Sequence, residues 1–495
     1  MITTNKIEAD TNELQTMTKQ FAGLMLLSIQ EERDIERAIM IAEWLARFLA
    51  MNSCGIYRLD ALEEGISRRL PKPPTLANAE QKLELHIASE VYRYGGHTRL
   101  IQTLLNSSVC GGDVLLTRRG GIPAVSILNI SNGELIFLEA TTGVGQACEI
   151  MEVASRYKHV FIHIHPDDIV ASSALRNMSE MSNHPKFIFV NHADHTFSLG
   201  LGSADVVFEL SSYGWGLRGK RGTESISSFI GIPIEASDTA CDSVEEYGLV
   251  LSAADPYKFK PQDGLSLPKI IRHILKSNEN LRMVIVGPRY WNFWWWPLIV
   301  RFPSRVKIKA RVPYVSYLKY LKSCAVYLDS YPVTGGTAFT EALLKGCNVA
   351  GIVGPISGYG LADELKSKDV TALNEFIARI VESDSEVIKQ QRIVRARADI
   401  FHSPMAVRQR ITKTIEAGIL LQPPLREVDF PNEPWFDCVW KKKGNFLVSG
   451  FRCATQARAA FPIIAICLLK SFGVIRAPMT QLLSKTIYAV IRKST

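Results

Sequence analysis

The sequence predicts an α/β protein made of two Rossmann-like domains facing a cleft, preceded by a helical extension and followed by a basic amphipathic tail. Three observations predict it. From about residue 86 onward, short β-rich runs alternate with amphipathic stretches, the pattern of parallel strands joined by helices and covered on both faces. The alternation comes as two successive sets, which implies two sheets. The length of 495 residues, 47% hydrophobic and 21% charged, supplies core material for about three domains and excludes a largely disordered chain. In such folds ligands sit at the carboxyl ends of the strands, so two facing domains would enclose a deep cleft.

Taken in order, residues 1–85 form the helical extension. Ile35, Ile39, Ala42, Leu45, Ala46 and Leu49 recur every three or four positions with Glu and Arg between them, an amphipathic helix. Pro71, Pro73 and Pro74 then mark a linker. The first domain, 86–240, has candidate strands at 113–117, 124–128, 135–138, 159–164, 187–190 and 205–208. The second, 241–420, has them at 248–252, 283–287, 306–309, 325–329 and 348–353, with helices expected over 268–277 and 314–323. Residues 421–495 form the tail.

Composition narrows the function classes. Nine cysteines with no C-x-x-C pair read as buried thiols in a reducing compartment. The polar, acidic N-terminus has no secretory signal, and no apolar run reaches the roughly 18–20 residues of a membrane span. The expectation is a cytoplasmic protein, peripheral on the cytosolic face of a membrane. The net charge of +8 is uneven: residues 441–495 hold ten Lys or Arg and no acid, leaving 47 basic and 49 acidic groups before them. A nearly neutral body argues against nucleic acid as the partner. In the tail, the apolar run 459–469 is broken by Pro462, and 482–491 ends in Arg492-Lys493. That pattern fits an interfacial helix on an anionic membrane surface; a helix docked back on the body is the alternative.

The strongest local signal runs from Tyr327 to Gly351: a strand to Asp329, a loop through Thr334, Gly335, Gly336 and Thr337, and a helix ending at Gly346. Glycines permit close backbone approach, and free N–H groups at a helix start attract phosphate. Thr337 and Thr340 add hydroxyls, and Glu341 suits a ribose diol. The residues alone equally describe a well-capped helix.

This stretch resembles the nucleotide-sugar site of GT-B glycosyltransferases, in particular the branch that includes the protein O-GlcNAc transferases. Asp329, Pro332, Gly335, Gly336, Thr337, Glu341, Ala342, Leu343 and Gly346 match that family's donor loop, while Ala338 and Asn348 depart from it. The likeness covers residues 248–355 well and the preceding domain loosely. It implies that Lys258 meets the donor pyrophosphate, that 334–337 cradles it, and that Glu341 holds the ribose. The nucleotide-sugar is then a substrate, and no cofactor is implied. The acceptor would be a glycan, glycolipid or protein hydroxyl. Retaining members carry E-x7-E across this loop; here Val333 stands where the first glutamate would be, so an inverting transfer is expected. The resemblance also implies a metal-independent enzyme, and the basic tail suggests surface polysaccharide or glycolipid synthesis.

Candidate catalytic residues lie in the first domain. His97 follows Tyr94-Gly95-Gly96, and a pKa near 6.5 suits an imidazole for deprotonating an acceptor hydroxyl. Asp194 and His165 are the next candidates. Arg218 and Arg221, in a basic segment expected to be a mobile loop, and His192 are candidate phosphate or acceptor contacts. The sequences His163-Ile-His165-Pro-Asp167-Asp168 and Asn191-His192-Ala-Asp194-His195 close successive strands. A metal-dependent hydrolase using His163, His165, His192 and Asp194 is therefore a rival reading; a nucleotide-sugar epimerase on the same fold and a non-catalytic scaffold are two more. Four tryptophans, Trp291 and 294–296, follow a strand. They would stack on a base, grip a lipid surface or fill space beneath a loop.

Overall fold

The structure, a computed structural model, describes residues 2–74, 81–92, 96–118, 128, 130, 132–236, 248–424, 434–443 and 449–472. The chain divides into two units: 1–209 with 217–228 and 431–495, and 210–216 with 229–430. Unit 1 carries a sheet of seven strands: β1 (Lys82–Ala88), β2 (Asp113–Leu116), β3 (Leu135–Phe137), β4 (Tyr157–His163), β5 (Lys186–Val190), β6 (Val206–Glu209) and β7 (Ser227–Phe229). Unit 2 carries six: β8 (Leu249–Ala253), β9 (Arg282–Val286), β10 (Val306–Lys309), β11 (Val326–Leu328), β12 (Val349–Ile352) and β13 (Lys366–Ser367).

Both sheets obey the same order, β3-β2-β1-β4-β5-β6-β7 and β10-β9-β8-β11-β12-β13. In each, the first three strands run outward to one edge and the fourth returns beside the first, pairing parallel with it: Leu85 with Val160 and Ile87 with Ile162, Val250 with Val326 and Leu251 with Tyr327. The loops leaving the two central strands diverge there, opening a crevice at the carboxyl ends. Strands such as β5 bury Phe187, Ile188, Phe189 and Val190 together, as sheets covered on both faces require.

The anticipated strands outside 124–127, which lies beyond the described residues, occur within a residue or two of their expected bounds, and the two expected helices are Leu267–Ser277 and Tyr314–Ser323. The central strand β1 was not anticipated. Its Lys-Leu-Glu-Leu-His-Ile-Ala sequence alternates polar with apolar residues, which describes a half-exposed strand, yet Glu84 and His86 are buried. His86 is accommodated because His163 on the neighbouring β4 bonds its ring.

In unit 1 a helical layer draws on both ends of the chain. Helix Ile35–Met51 starts at Asp34, whose carboxylate accepts from the backbone N–H of Glu36 and Arg37, a cap contributing about 1 kcal/mol. Its apolar stripe meets helix Ile2–Glu31, and Phe21, Trp44 and Phe48 pack at centroid distances of 5.1–6.2 Å. Helix Ala454–Phe472 lies on the same core through Ala460, Ile464 and Cys467. The run 459–469, expected to face lipid, is thus largely occupied by protein, as in the docked-helix alternative; 473–495 lie outside the described residues. No helix among the described residues is long and apolar enough to cross a membrane. Glu36 fastens the layer to the sheet's cover, accepting from Gly143 N at 2.7 Å and Val144 N at 2.9 Å at the start of helix Gly143–Ala154.

Candidate functional site

In unit 2 the loops after β8 and β11 meet at the switch point. Asp329, just past β11, is buried and organises the glycine loop: its carboxylate accepts from Thr334 Oγ1 at 2.6 Å and from the backbone N–H of Ser330 and Gly335, both at 2.8 Å. Its charge is balanced by Lys366 Nζ at 2.9 Å, which also bonds Asp363 at 2.6 Å and Thr334 Oγ1 at 3.0 Å. Burial opposes the charge on Lys366, but Asp329 and Asp363 outweigh it and raise its pKa. The lysine therefore stays charged.

The glycines are demanded by this geometry. A Cβ on Gly335 would stand 2.7 Å from Asp329 Oδ1, and Gly336 has φ of 60° and ψ of −111°, a region open essentially to glycine. Gly336 hands the chain to helix Thr337–Leu344, whose first N–H groups have no intrahelical acceptor. Lys258, from the loop after β8, reaches across: its Nζ donates to Thr334 O at 2.9 Å and Gly335 O at 3.3 Å. Glu341 is 4% exposed and accepts from the Tyr314 hydroxyl. Lys258 and 334–337 are thus brought together, with Glu341 one turn into the helix.

In unit 1 the carboxyl ends of β1, β4 and β5 gather histidines. His163 Nε2 is 3.0 Å from His86 Nδ1, and its Nδ1 is 2.8 Å from His192 Nε2. Each contact needs one donor and one acceptor, and a neutral His163 ring has one of each, so protons are shared in a single direction along the three rings. His97 lies against His192 at a centroid distance of 4.3 Å and against His165 at 6.1 Å. Its Nε2 is 3.1 Å from the His163 carbonyl oxygen, which accepts only, so Nε2 carries the proton and Nδ1 carries the lone pair. Among the described residues Nδ1 is buried and has no hydrogen-bond partner. Burial, then the charge of His165, lowers the His97 pKa to about 4, against the bond to His163 O. The value near 6.5 expected from the residue type is corrected accordingly: the imidazole is neutral at pH 7. Burial likewise holds His163 and His192 well below the usual range.

His165 stacks on Tyr92 and bonds its hydroxyl at 2.9 Å, while its backbone N–H donates to Ser89 Oγ at 2.8 Å. Burial and the nearby Arg118 lower its pKa. Asp194 occupies a different neighbourhood: its carboxylate is 3.3 Å from His195 Nδ1 and its carbonyl accepts from Arg221 at 2.9 Å. The segment expected as a mobile basic loop is the helical turn Arg218–Arg221. Arg221 in it is buried and paired with Glu209 at 3.1 Å, while Arg218 is half-buried. Tyr94 and Gly95 lie outside the described residues. Among the described residues no three or more His, Cys, Asp or Glu side chains are arranged to hold a metal ion; the His163 ring nitrogens face those of His86 and His192. A cavity of about 450 Å³ opens at the ends of β2 and β3, lined by Thr117, Arg118, Thr141 and Asp168 together with Glu43 and Arg452.

Sequence reasoning missed Lys366, Tyr314, Tyr92 and His86. None sits in a motif, and each is brought in by strand order or by a helix distant in sequence.

No protein-family model and no curated protein sequence matches the chain. Solved structures do. The lipopolysaccharide outer core galactosyltransferase WaaB, in its apo form, gives a TM-score of 0.50 at 14% identity, covering 68% of this chain and 99% of that one. Anabaena HepE in complex with UDP and glucose gives 0.51 at 14% identity, over 68% and 100%. A mutant Thermobaculum terrenum O-GlcNAc transferase gives 0.50 at 11% identity, over 81% of each chain. At such identities the likeness establishes the fold: this chain has the two-sheet α/β fold of the GT-B glycosyltransferases.

Proposed function

We propose that the protein is a glycosyltransferase that moves a sugar from a nucleotide-sugar donor to a hydroxyl of a glycan, glycolipid or protein. The observation that carries this reading is the placement of the Lys258 ammonium against a glycine loop at the switch point of unit 2, beside the open start of helix Thr337–Leu344. Diphosphate charge grows as the leaving group departs, so a cation and backbone N–H groups fixed there act mainly in the transition state. Glu341 takes the ribose hydroxyls, with Tyr314 holding its carboxylate.

Unit 1 supplies the base. His97 Nδ1, buried in the structure, takes the acceptor proton once its covering moves aside, while Nε2–H stays on the His163 carbonyl, which fixes the tautomer. The transfer inverts at the anomeric carbon, because unit 2 lacks the first glutamate of the retaining pattern, and the charge on Lys258 replaces a metal. An anomeric NMR time course should show the product in the opposite configuration to the donor. The place of action is surface polysaccharide or glycolipid synthesis at the cytosolic face of a membrane.

The direct test is thermal stabilisation by a panel of nucleoside diphosphates, with and without EDTA. At about 100-fold excess over Kd the expected stabilisation is roughly 2.7 kcal/mol. One diphosphate should produce it regardless of EDTA, and Lys258→Ala/Glu341→Ala should abolish it. No shift with any diphosphate would remove the donor-site reading.

A further inference from the structure

Charge and exposed aromatic surface converge on one stretch of unit 2. Residues 280–328 hold nine Lys or Arg and no Asp or Glu, more positive charge than the formal +8 of the whole chain. Within it, the segment after β9 buries Trp295 at 1% exposure, edge-on against Phe259 at 5.5 Å. Its neighbours turn outward: Tyr290 is 91% exposed, Trp291 58%, Phe293 63% and Trp296 52%. Single exposed apolar residues are ordinary on a soluble surface; four large rings within seven positions are not.

The rings are held out by a defined fold. Asn292 Oδ1 accepts from Arg289 N at 2.7 Å, and Trp296 Nε1 donates to Tyr290 O at 3.0 Å. The Arg289 guanidinium lies over Trp291 at 5.2 Å. Phe293 and Trp296 pack edge-to-face at 5.2 Å, while Trp295 between them in sequence is buried and anchors the segment. Arg289 begins the segment and Arg301 ends the following helix, Trp296–Arg301. Gly287 N donates to Lys309 O at 2.8 Å, which brings the end of β10 alongside the start of the segment; Arg311, two residues beyond, is paired with Asp255.

We propose that this aromatic knuckle is a membrane-docking surface whose partner is an anionic lipid bilayer. Tyrosine and tryptophan rings are stable at the headgroup level, where one edge is apolar and the other wet, and Arg289 and Arg301 meet lipid phosphates around them. An aliphatic side chain on the same helix, Val300 at 78% exposure, gains from acyl chains and gains nothing from stacking on bases, which favours lipid over nucleic acid. This surface lies in unit 2, apart in sequence from the basic tail, and its docking does not depend on glycosyl transfer.

The experiment is co-sedimentation of the full chain with phosphatidylcholine vesicles and with vesicles containing about a third phosphatidylglycerol, at low and high salt. The wild type should bind the anionic vesicles, release in high salt, and shift its tryptophan emission to the blue. Trp291→Ser/Phe293→Ser should lower partitioning roughly tenfold or more with an unchanged melting temperature, since both rings are exposed. Arg289→Glu, which leaves Phe293 and Trp296 in place, should also weaken binding to anionic vesicles. A full-length variant with Lys485, Arg492 and Lys493 all changed to Ala should still bind. The proposal is overturned by absent vesicle binding, by binding that survives the double substitution, or by loss in the tail variant alone. It is equally overturned if the knuckle variants lose affinity for a single-stranded oligonucleotide while vesicles are not bound.

Discussion

His97 shows how one side chain's surroundings set both its chemistry and its stability cost. Its folded pKa of about 4 lies below the ordinary 6.5, so the folded protein binds fewer protons than the unfolded chain between those values. The stability that neutral His97 contributes is fully present above pH 6.5 and is lost as pH falls through 4. The size of that loss is about 3 kcal/mol. His402, also lowered to about 4 by burial, adds to the same window. Glu63 works the other way: burial raises its carboxyl to about 7, so its contribution is present below pH 4.5 and is lost as pH rises through 7. The comparison to make is therefore between wild type and His97→Gln, by urea unfolding from pH 7 to 4; the variant's midpoint should fall less steeply. In an assay of the proposed glycosyl transfer, the acid limb of kcat/KM should sit nearer pH 4 than 6.5 and disappear with the residual activity of His97→Gln.

At the level of elements, the loop between β11 and helix Thr337–Leu344 is held from outside itself. Its glycines, threonines and Asp329 were legible because close turns and helix starts draw on few residue types at fixed spacing. Lys366 was not legible. It stands some thirty residues downstream at the edge strand β13, and only the pairing of β12 with β13 brings it under the loop. The histidine chain was half legible for a similar reason: strand ends flagged His163 and His192, but His86 needed the placement of β1 beside β4. Lys366→Met should leave Asp329 as an unbalanced buried charge, at a cost of about 3–5 kcal/mol. Gly336→Ala should cost roughly 1 kcal/mol or more from its positive φ alone. Chemical denaturation reads both, and nucleoside diphosphate affinity should drop in Gly336→Ala even where the protein remains folded.

Across the whole molecule, the two ends of the sequence are joined in unit 1, a feature that composition concealed. The tail's positive charge and apolar runs describe a lipid-facing helix as well as a docked one, and only tertiary partners separate them. Those partners are specific: Trp44 Nε1 donates to Ser449 O at 3.2 Å, Trp440 Nε1 to Asn52 Oδ1 at 3.0 Å, and Tyr57 OH to Asp437 at 3.0 Å. Arg452 then reaches Glu43 at 2.7 Å and Asp167 at 3.3 Å, joining Arg47 and Arg118 around the same two carboxylates. Asp167 lies two residues past His165 and next to Asp168, whose carboxylate accepts from Ser89 and Thr117 at the ends of β1 and β2. The C-terminal segment thus braces the end of the sheet that carries the candidate base. Ile464→Asp, which buries a carboxylate among Phe21, Trp44 and their neighbours without altering the histidines, tests that dependence. It should lower the stability of unit 1 by several kcal/mol, because an unpaired buried charge adds to the lost packing. Hydrogen exchange should quicken in Ile35–Met51 and at the ends of β1 and β4, while β8 to β12 keep their protection. Unchanged exchange at β1 and β4 would instead confine the C-terminal helix to covering the N-terminal helices.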